Sequence, residues 1–272
     1  MKKIFYILLG LSLFSCSTDD DVINETPSED LQPDKAYVFL MDYPNSMAIY
    51  DRYYKLTYEN GRLKNIMGKF YPFSSPISYF NPNVLTQFTY SNNKVLVNYF
   101  EAPQETVGYK SVSYTLENGR PAKAEHYYNY NNNAYPAELE FTNIYTYSEN
   151  TIKVYMKSGA WEYFTTYYFD AKNNLTKKEF LERAGNIDHK ITTTTYSDFD
   201  NAKNAFKKFY LVNDELFEKS LSANNFRGKE TVSQYFPTEA NGGIVGTPGY
   251  SNSHWTYNYD SNGQVLLYFP LQ

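Results

Sequence analysis

From Ala36 onward apolar and polar positions alternate with a period of two. Val112, Tyr114 and Leu116 alternate with Ser111, Ser113 and Thr115, and Ile152, Val154 and Met156 with Thr151, Lys153 and Tyr155. Trp255, Tyr257 and Tyr259 alternate in the same way with His254, Thr256 and Asn258. Successive side chains of an extended chain point to opposite sides, so this spacing predicts strands with one buried and one wet face. Between the runs stand turn formers: Glu59-Asn60-Gly61, Ser91-Asn92-Asn93, Glu117-Asn118-Gly119, Ser148-Glu149-Asn150, Lys172-Asn173-Asn174 and Ser261-Asn262-Gly263. Asn and Gly tolerate the positive φ of tight hairpins. Each unit reads as strand, short turn, strand.

Hairpins in series make an antiparallel meander. About a dozen strands in one sheet accumulate twist and must curl. The expected fold is all-β: a large curved antiparallel meander sheet, either open or partly closed into a barrel or roll. Its wet face carries Thr, Ser, Lys and surplus Tyr. Thr192 to Thr195 form an unbroken β-prone run that leaves its buried face undeclared. The period loosens between Asp198 and Asn225. There Asp214–Leu221 predicts a short helix capped by Asp214, with Leu216, Phe217 and Leu221 on one side. Residues 202–206 read as a further helical turn or an irregular crossing, so at most one or two short helices fall near 200–222. Residues 242–249 read as a loop before a last hairpin.

The first residues follow another pattern. Lys2 and Lys3 precede an apolar stretch from Ile4 to Phe14, which is shorter than the about 20 residues that span a bilayer. Leu13-Phe14-Ser15-Cys16 resembles the lipobox of bacterial lipoproteins, and the resemblance implies lipid attachment at Cys16 followed by cleavage. Residues 17–35 are acidic and proline-punctuated, too poor in apolar groups to fold, and read as a disordered tether. Their Asp19-Asp20-Asp21 run resembles the export signal that carries Bacteroidota lipoproteins to the outer face of the outer membrane. The expected organisation is a lipoprotein signal peptide over 1–16, a tether over 17–35 and a single β-sheet domain over 36–272.

Cys16 is the chain's one cysteine, and its acylation leaves no thiol for a disulfide, a nucleophile or a metal. The formal charge is −5, with Lys and Arg scattered among acids, so no nucleic-acid partner is expected. The membrane is met through lipid rather than charge. With 30 Tyr and 19 Phe against 2 Trp, the aromatic excess argues for sheet before it argues for ligand. Tyr58, Tyr90 and Tyr147 each stand three residues before the Gly or Asn of a turn. Tyr257-Asn258-Tyr259-Asp260-Ser261-Asn262-Gly263-Gln264-Val265 resembles the YD repeat of bacterial surface proteins, and Tyr168-Phe169-Asp170 to Leu175 is a weaker copy. The spacing is looser than in those tandem arrays. It is more similar to small Bacteroidota lipoproteins built of such hairpins, a likeness that implies an envelope location and leaves the activity unassigned.

No catalytic constellation emerges. His126, His189 and His254 are the three histidines, far apart in sequence and without partners at ligand spacing, so no metal site or cofactor is expected. No serine stands in a nucleophile elbow. The 30 acids single out no carboxylate pair. The best recognition candidates are Tyr127, Tyr128, Tyr130 and Tyr135 in an Asn-rich segment expected at a hairpin tip, where flat rings beside amides suit sugars. Trp161 and Trp255 stand open between core and platform. The expected function is a lipid-anchored, non-catalytic binding or scaffolding module with a glycan or outer-membrane protein as partner. An envelope hydrolase with paired carboxylates and a carrier of an apolar ligand in the concave sheet are the alternatives.

Overall fold

The computed structural model describes residues 31–41, 51–71, 79–100, 108–129, 136–237, 243 and 245–270. The leader with Cys16, the tether up to residue 30, Tyr130 and Tyr135 lie outside the described residues.

Fourteen strands form one sheet in chain order. They begin with β1 (Lys35–Tyr37), β2 (Tyr53–Glu59), β3 (Arg62–Tyr71), β4 (Tyr79–Ser91), β5 (Lys94–Phe100), β6 (Gly108–Glu117) and β7 (Arg120–Asn129). They continue with β8 (Glu138–Ser148), β9 (Thr151–Ser158), β10 (Trp161–Phe169), β11 (Leu175–Ala184), β12 (Ile187–Phe199), β13 (Phe226–Tyr235) and β14 (Gly249–His254). Two short strands, β15 (Asn258–Tyr259) and β16 (Val265–Leu266), pair separately, and the helices are α1 (Val38–Met41) and α2 (Asp214–Leu221). The predicted antiparallel meander is the observed fold, and its ladder stays open, with β1 and β14 as the edges.

Local chemistry explains the hairpins. Asn60 and Gly61 have φ of 51° and 74°, and Asn118 and Gly119 have 51° and 75°, the twin positive values of a turn whose twist matches its strands. Gly185-Asn186, which the pattern did not flag, turns in the same way, with φ of 56° and 65°. The two YD-like segments share one turn. The Asp170 carboxylate accepts from the N–H groups of Lys172 and Asn174 at 2.9 and 2.8 Å, and Asp260 accepts from Asn262 and Gln264 at 2.8 Å each. In both segments the residue three before the Asp, Tyr167 or Tyr257, and the residue five after it, Leu175 or Val265, are buried.

Much of the tyrosine excess is structural. Tyr90 donates its hydroxyl to the Leu63 carbonyl at 3.0 Å and lies under the Arg62 guanidinium. Tyr147 repeats the arrangement one hairpin pair later, donating to the Pro121 carbonyl at 2.8 Å beneath Arg120. Each ring thus fastens a hairpin to the turn of the one before it.

The inner face of the sheet is the one that packs on residues 200–225. Phe206, Phe209, Leu211 and Leu216 from that segment are almost wholly buried, and Tyr145 and Tyr167 meet the Phe217 ring edge-on at 5.5 and 5.8 Å. Residues 202–206 form the irregular crossing, followed by one 3-10 turn at Lys207–Phe209. Two buried amides hold it: Asn204 donates to the Lys219 and Ser222 carbonyls at 2.7 Å each, and Asn225 donates to Asp200 at 3.0 Å. The helix expected over Asp214–Leu221 forms with those bounds, but its cap is Asn213. Asn213 is extended and its side chain accepts from the Leu216 N–H at 2.8 Å, which leaves Asp214 as the first helical residue with its carboxylate free of capping.

Four further expectations are corrected. Helix was expected only near 200–222, yet α1 also forms at Val38–Met41, where the Lys219 ammonium binds the Leu40 and Met41 carbonyls that end the turn. The Trp255 to Tyr259 run is not one strand. Main-sheet pairing ends at His254, and Trp255 and Tyr257 turn inward against Phe226 and Phe206. Gly249, expected in a loop, opens β14 opposite Ser233. The expected tether boundary after residue 35 falls inside β1. The tail then returns to that edge, where Tyr37 donates its N–H to the Leu267 carbonyl at 2.8 Å and its hydroxyl to the Phe269 carbonyl at 2.5 Å.

Candidate ligand-binding surface

A cavity of about 330 Å³ lies between the inner face of β2–β8 and the residues leading into α2. Its walls carry rings from Tyr54, Phe70, Tyr99 and Phe141, apolar side chains from Ile66 and Val112, and polar groups from Thr86, His126 and Asp214. The lining is thus neither apolar throughout nor polar throughout. Gly68 makes room for it at a bulge in β3. Its φ is +119°, and a Cβ there would stand 2.5 Å from the Phe80 ring and 3.0 Å from Tyr54.

Two titratable groups in the wall, His126 and Asp214, depart from their ordinary states. His126 stacks on Phe141 with ring centroids 4.2 Å apart, and burial pushes its imidazole down to about 4, so the ring is uncharged at neutral pH. Asp214 has no hydrogen bond or ion pair among the described residues. Its position in the first turn of a helix favours the charge, but desolvation by the surrounding protein raises its carboxyl above the usual range. The residue is nonetheless exposed, and the Lys178 charge acts against the rise. One turn on, Glu218 behaves oppositely. Burial alone would raise it, yet the Lys178 and Lys229 ammoniums outweigh burial and hold it ionised, Lys178 in direct contact and Lys229 at 3.1 Å. Among the described residues Asp214 is the only carboxylate in the cavity wall, whereas hydrolysis by paired acids needs a second across from it.

The other half of the inner face, β10–β13, is built of cross-strand rows. Tyr167, Lys178, Thr194 and Thr231 form the row beside α2. Thr165, Phe180, Thr192 and Ser233 form the next, and Tyr163, Glu182, Lys190 and Tyr235 the one beyond. Residues two apart along a strand share a face, so all three rows face inward. Thr194 and Thr231 share a hydrogen bond at 3.1 Å, and Thr192 and Ser233 share one at 3.0 Å. The four-threonine run therefore sends Thr192 and Thr194 inward and Thr193 and Thr195 outward. Trp161, Tyr163 and Phe180 make a ring series with centroids 6.3 and 5.8 Å apart and planes within 21° and 12° of parallel. His189 stands 4.9 Å from Trp161, and the Lys190–Glu182 ion pair flanks the series at 3.0 Å.

Of the residues singled out by the sequence, Trp161 is in this wall and 37% exposed, while Trp255 is 8% exposed and packed on Phe226. Tyr127 and Tyr128 are half-buried on β7, three strands from Trp161 and hence about 14 Å away across the sheet. Tyr163, Phe180, His126 and Asp214 were not singled out as site residues. Tyr163 had a signal, since Trp161, Tyr163 and Tyr167 continue one alternating face, but Asp214 had only the look of a helix cap.

No protein-family model matches the sequence, and no curated protein matches it. Among solved structures, the fold is similar to a porin-like protein from Bacteroides vulgatus, with a TM-score of 0.48 and 13% identity over 79% of this chain and 84% of that one. It is also similar to a porin-like protein from Bacteroides uniformis, with a TM-score of 0.41 and 14% identity over 78% of this chain and 79% of that one.

Proposed function

We propose that this chain is a lipid-anchored protein of the cell envelope that binds glycan on the inner face of its sheet and is not itself a catalyst. The observation that carries the reading is the near-parallel series of Trp161, Tyr163 and Phe180 beside a ladder of hydroxyls and a Glu182–Lys190 ion pair. A sugar ring has an apolar C–H face and an equatorial rim of hydroxyls. Flat aromatic side chains accept the face at little entropic cost, and neighbouring polar groups satisfy the rim. Anchoring rests on the leader ending in Leu13-Phe14-Ser15-Cys16 and on the acidic tether behind it.

The test is a glycan array probed with detergent-solubilised protein, followed by titration of the retained sugars against Trp161→Ala and Tyr163→Ala. Each ring is expected to contribute about 1 kcal/mol, so each variant should bind about five- to tenfold more weakly. Retention of no glycan, or unchanged affinity in both variants, refutes the binding reading. Cys16→Ala should move the protein from the membrane to the soluble fraction, and an unchanged distribution refutes the anchor.

A further inference from the structure

The sheet ends differently at its two edges. At β1 the tail returns, and Tyr37 gives its N–H to the Leu267 carbonyl. Beyond β14 no described residue pairs with the strand. Tyr250 is 65% exposed there, and the His254 side chain is 60% exposed. Lysines, prolines and bulges ordinarily keep an open edge from pairing with another chain. Gly249-Tyr250-Ser251-Asn252-Ser253-His254 has no lysine and no proline, and its register against β13 runs without a shift.

The ladder decides which groups this edge offers. Trp255 donates its N–H to the Arg227 carbonyl at 2.9 Å, and in an antiparallel pair alternate residues bond to opposite sides. Ser251 and Ser253 therefore bond to β13, whereas Tyr250, Asn252 and His254 direct both N–H and carbonyl outward. These three residues match the same three on a second copy when Asn252 stands opposite itself and Tyr250 opposite His254. Each pair then exchanges two hydrogen bonds, and the side chains that meet all lie on the outer face. Other registers are poorer. A shift of two residues one way sets His254 opposite Pro248, which has no N–H, and the other way sets Tyr250 opposite Thr256, beyond the end of the strand. Nothing on the strand repels its own copy: it carries no acid and no lysine or arginine, and its one imidazole is held by Asp198 at 2.8 Å. We infer that β14 is the interface of a twofold dimer of this chain, built by antiparallel β14 to β14 pairing centred on Asn252. Because the tail meets the other edge, the assembly closes at two copies and does not grow into a fibre. This inference does not depend on glycan binding at the Trp161 wall.

The experiment is sedimentation of the detergent-solubilised full chain across a concentration series. One six-residue strand makes a small interface, so the dimer should be half-formed near about 100 µM protein. Asn252→Pro removes an outward N–H that β13 does not use, a place where an edge strand accepts proline. It should weaken the dimer at least tenfold and leave the urea midpoint of the fold unchanged. Cysteine pairs then read the register on a Cys16→Ala background, which removes the only other thiol. Asn252→Cys sets two sulfurs on residues with Cα atoms about 5.5 Å apart and should give a covalent dimer on mild oxidation. Ser251→Cys sets them on residues about 8 Å apart, outside disulfide reach, and should not. A chain that stays monomeric at about 500 µM overturns the inference, since that is well above the expected midpoint. So does a dimer indifferent to Asn252→Pro, or a covalent dimer that forms equally from both cysteine variants or from neither. If Asn252→Pro lowers the urea midpoint, the cysteine pair alone decides.

Discussion

Replacing Lys219 by methionine should remove about 3 kcal/mol of stability, the largest effect expected of any single lysine here. The side chain is 4% exposed. Its ammonium donates to the Leu40 carbonyl at 2.9 Å and the Met41 carbonyl at 2.6 Å, pairs with Glu215 at 3.3 Å and lies 5.3 Å from the Phe206 ring. Methionine keeps the apolar stem and the packing on Phe206 but donates nothing. Two carbonyls at the end of α1 then stay buried without a partner, at about 1–3 kcal/mol each. Relief of the cost of burying an ammonium offsets part of this sum, which brings the net to about 3 kcal/mol. In urea, with a slope of about 3 kcal/mol/M for a domain of this size, the midpoint should fall by about 1 M with the slope unchanged. Lys172→Met, at an exposed turn, should stay within about 0.5 kcal/mol of the parent. A shift of less than about 0.3 M for Lys219→Met refutes the view that this lysine holds α1 against α2.

Three other outcomes follow from the same geometry. His126 titrates at about 4 in the fold and at 6.5 when unfolded, so the unfolded chain binds more protons between those values. Its contribution is therefore complete above pH 6.5 and is lost as pH falls toward 4, by about 2–3 kcal/mol. His126→Phe, which keeps the stack on Phe141, should flatten urea midpoints across that window, and an unaltered pH slope counts against the burial argument. Gly68→Ala should cost about 2 kcal/mol or more, because its φ is +119° and the new methyl meets Phe80 at 2.5 Å; a melting temperature equal to that of the parent contradicts it. Asn213→Ala should cost about 1 kcal/mol through loss of the cap on Leu216, and Asn213→Asp should restore most of it in thermal melts.

What the sequence determined by itself is what neighbours along the chain decide. The period of two, the Asn-Gly turns with their paired positive φ, and the Asp170 and Asp260 turns involve residues a few places apart, so the meander can be read from composition and spacing. The extent of α2 was equally local, because Asp214 to Leu221 carry both the apolar spacing and the polar entry. Tertiary structure decided the rest, because alternation is symmetric between the two faces of a sheet and says nothing about what lies against each. Only the packing of residues 200–225 makes Tyr167, Thr194 and Tyr196 inner residues, and it also turns Asp214 from an expected cap into a cavity carboxylate. Trp161 and Trp255 look alike in sequence. One stands at the end of β10 away from Tyr167, where that strand meets the packed segment, and keeps an open face, while the other lies where the chain crosses back over Phe226 and is covered. In the same way α1 forms outside the region near 200–222 where helix was expected, its end held by Lys219, 178 residues away from Met41, which reaches the carbonyls that end it.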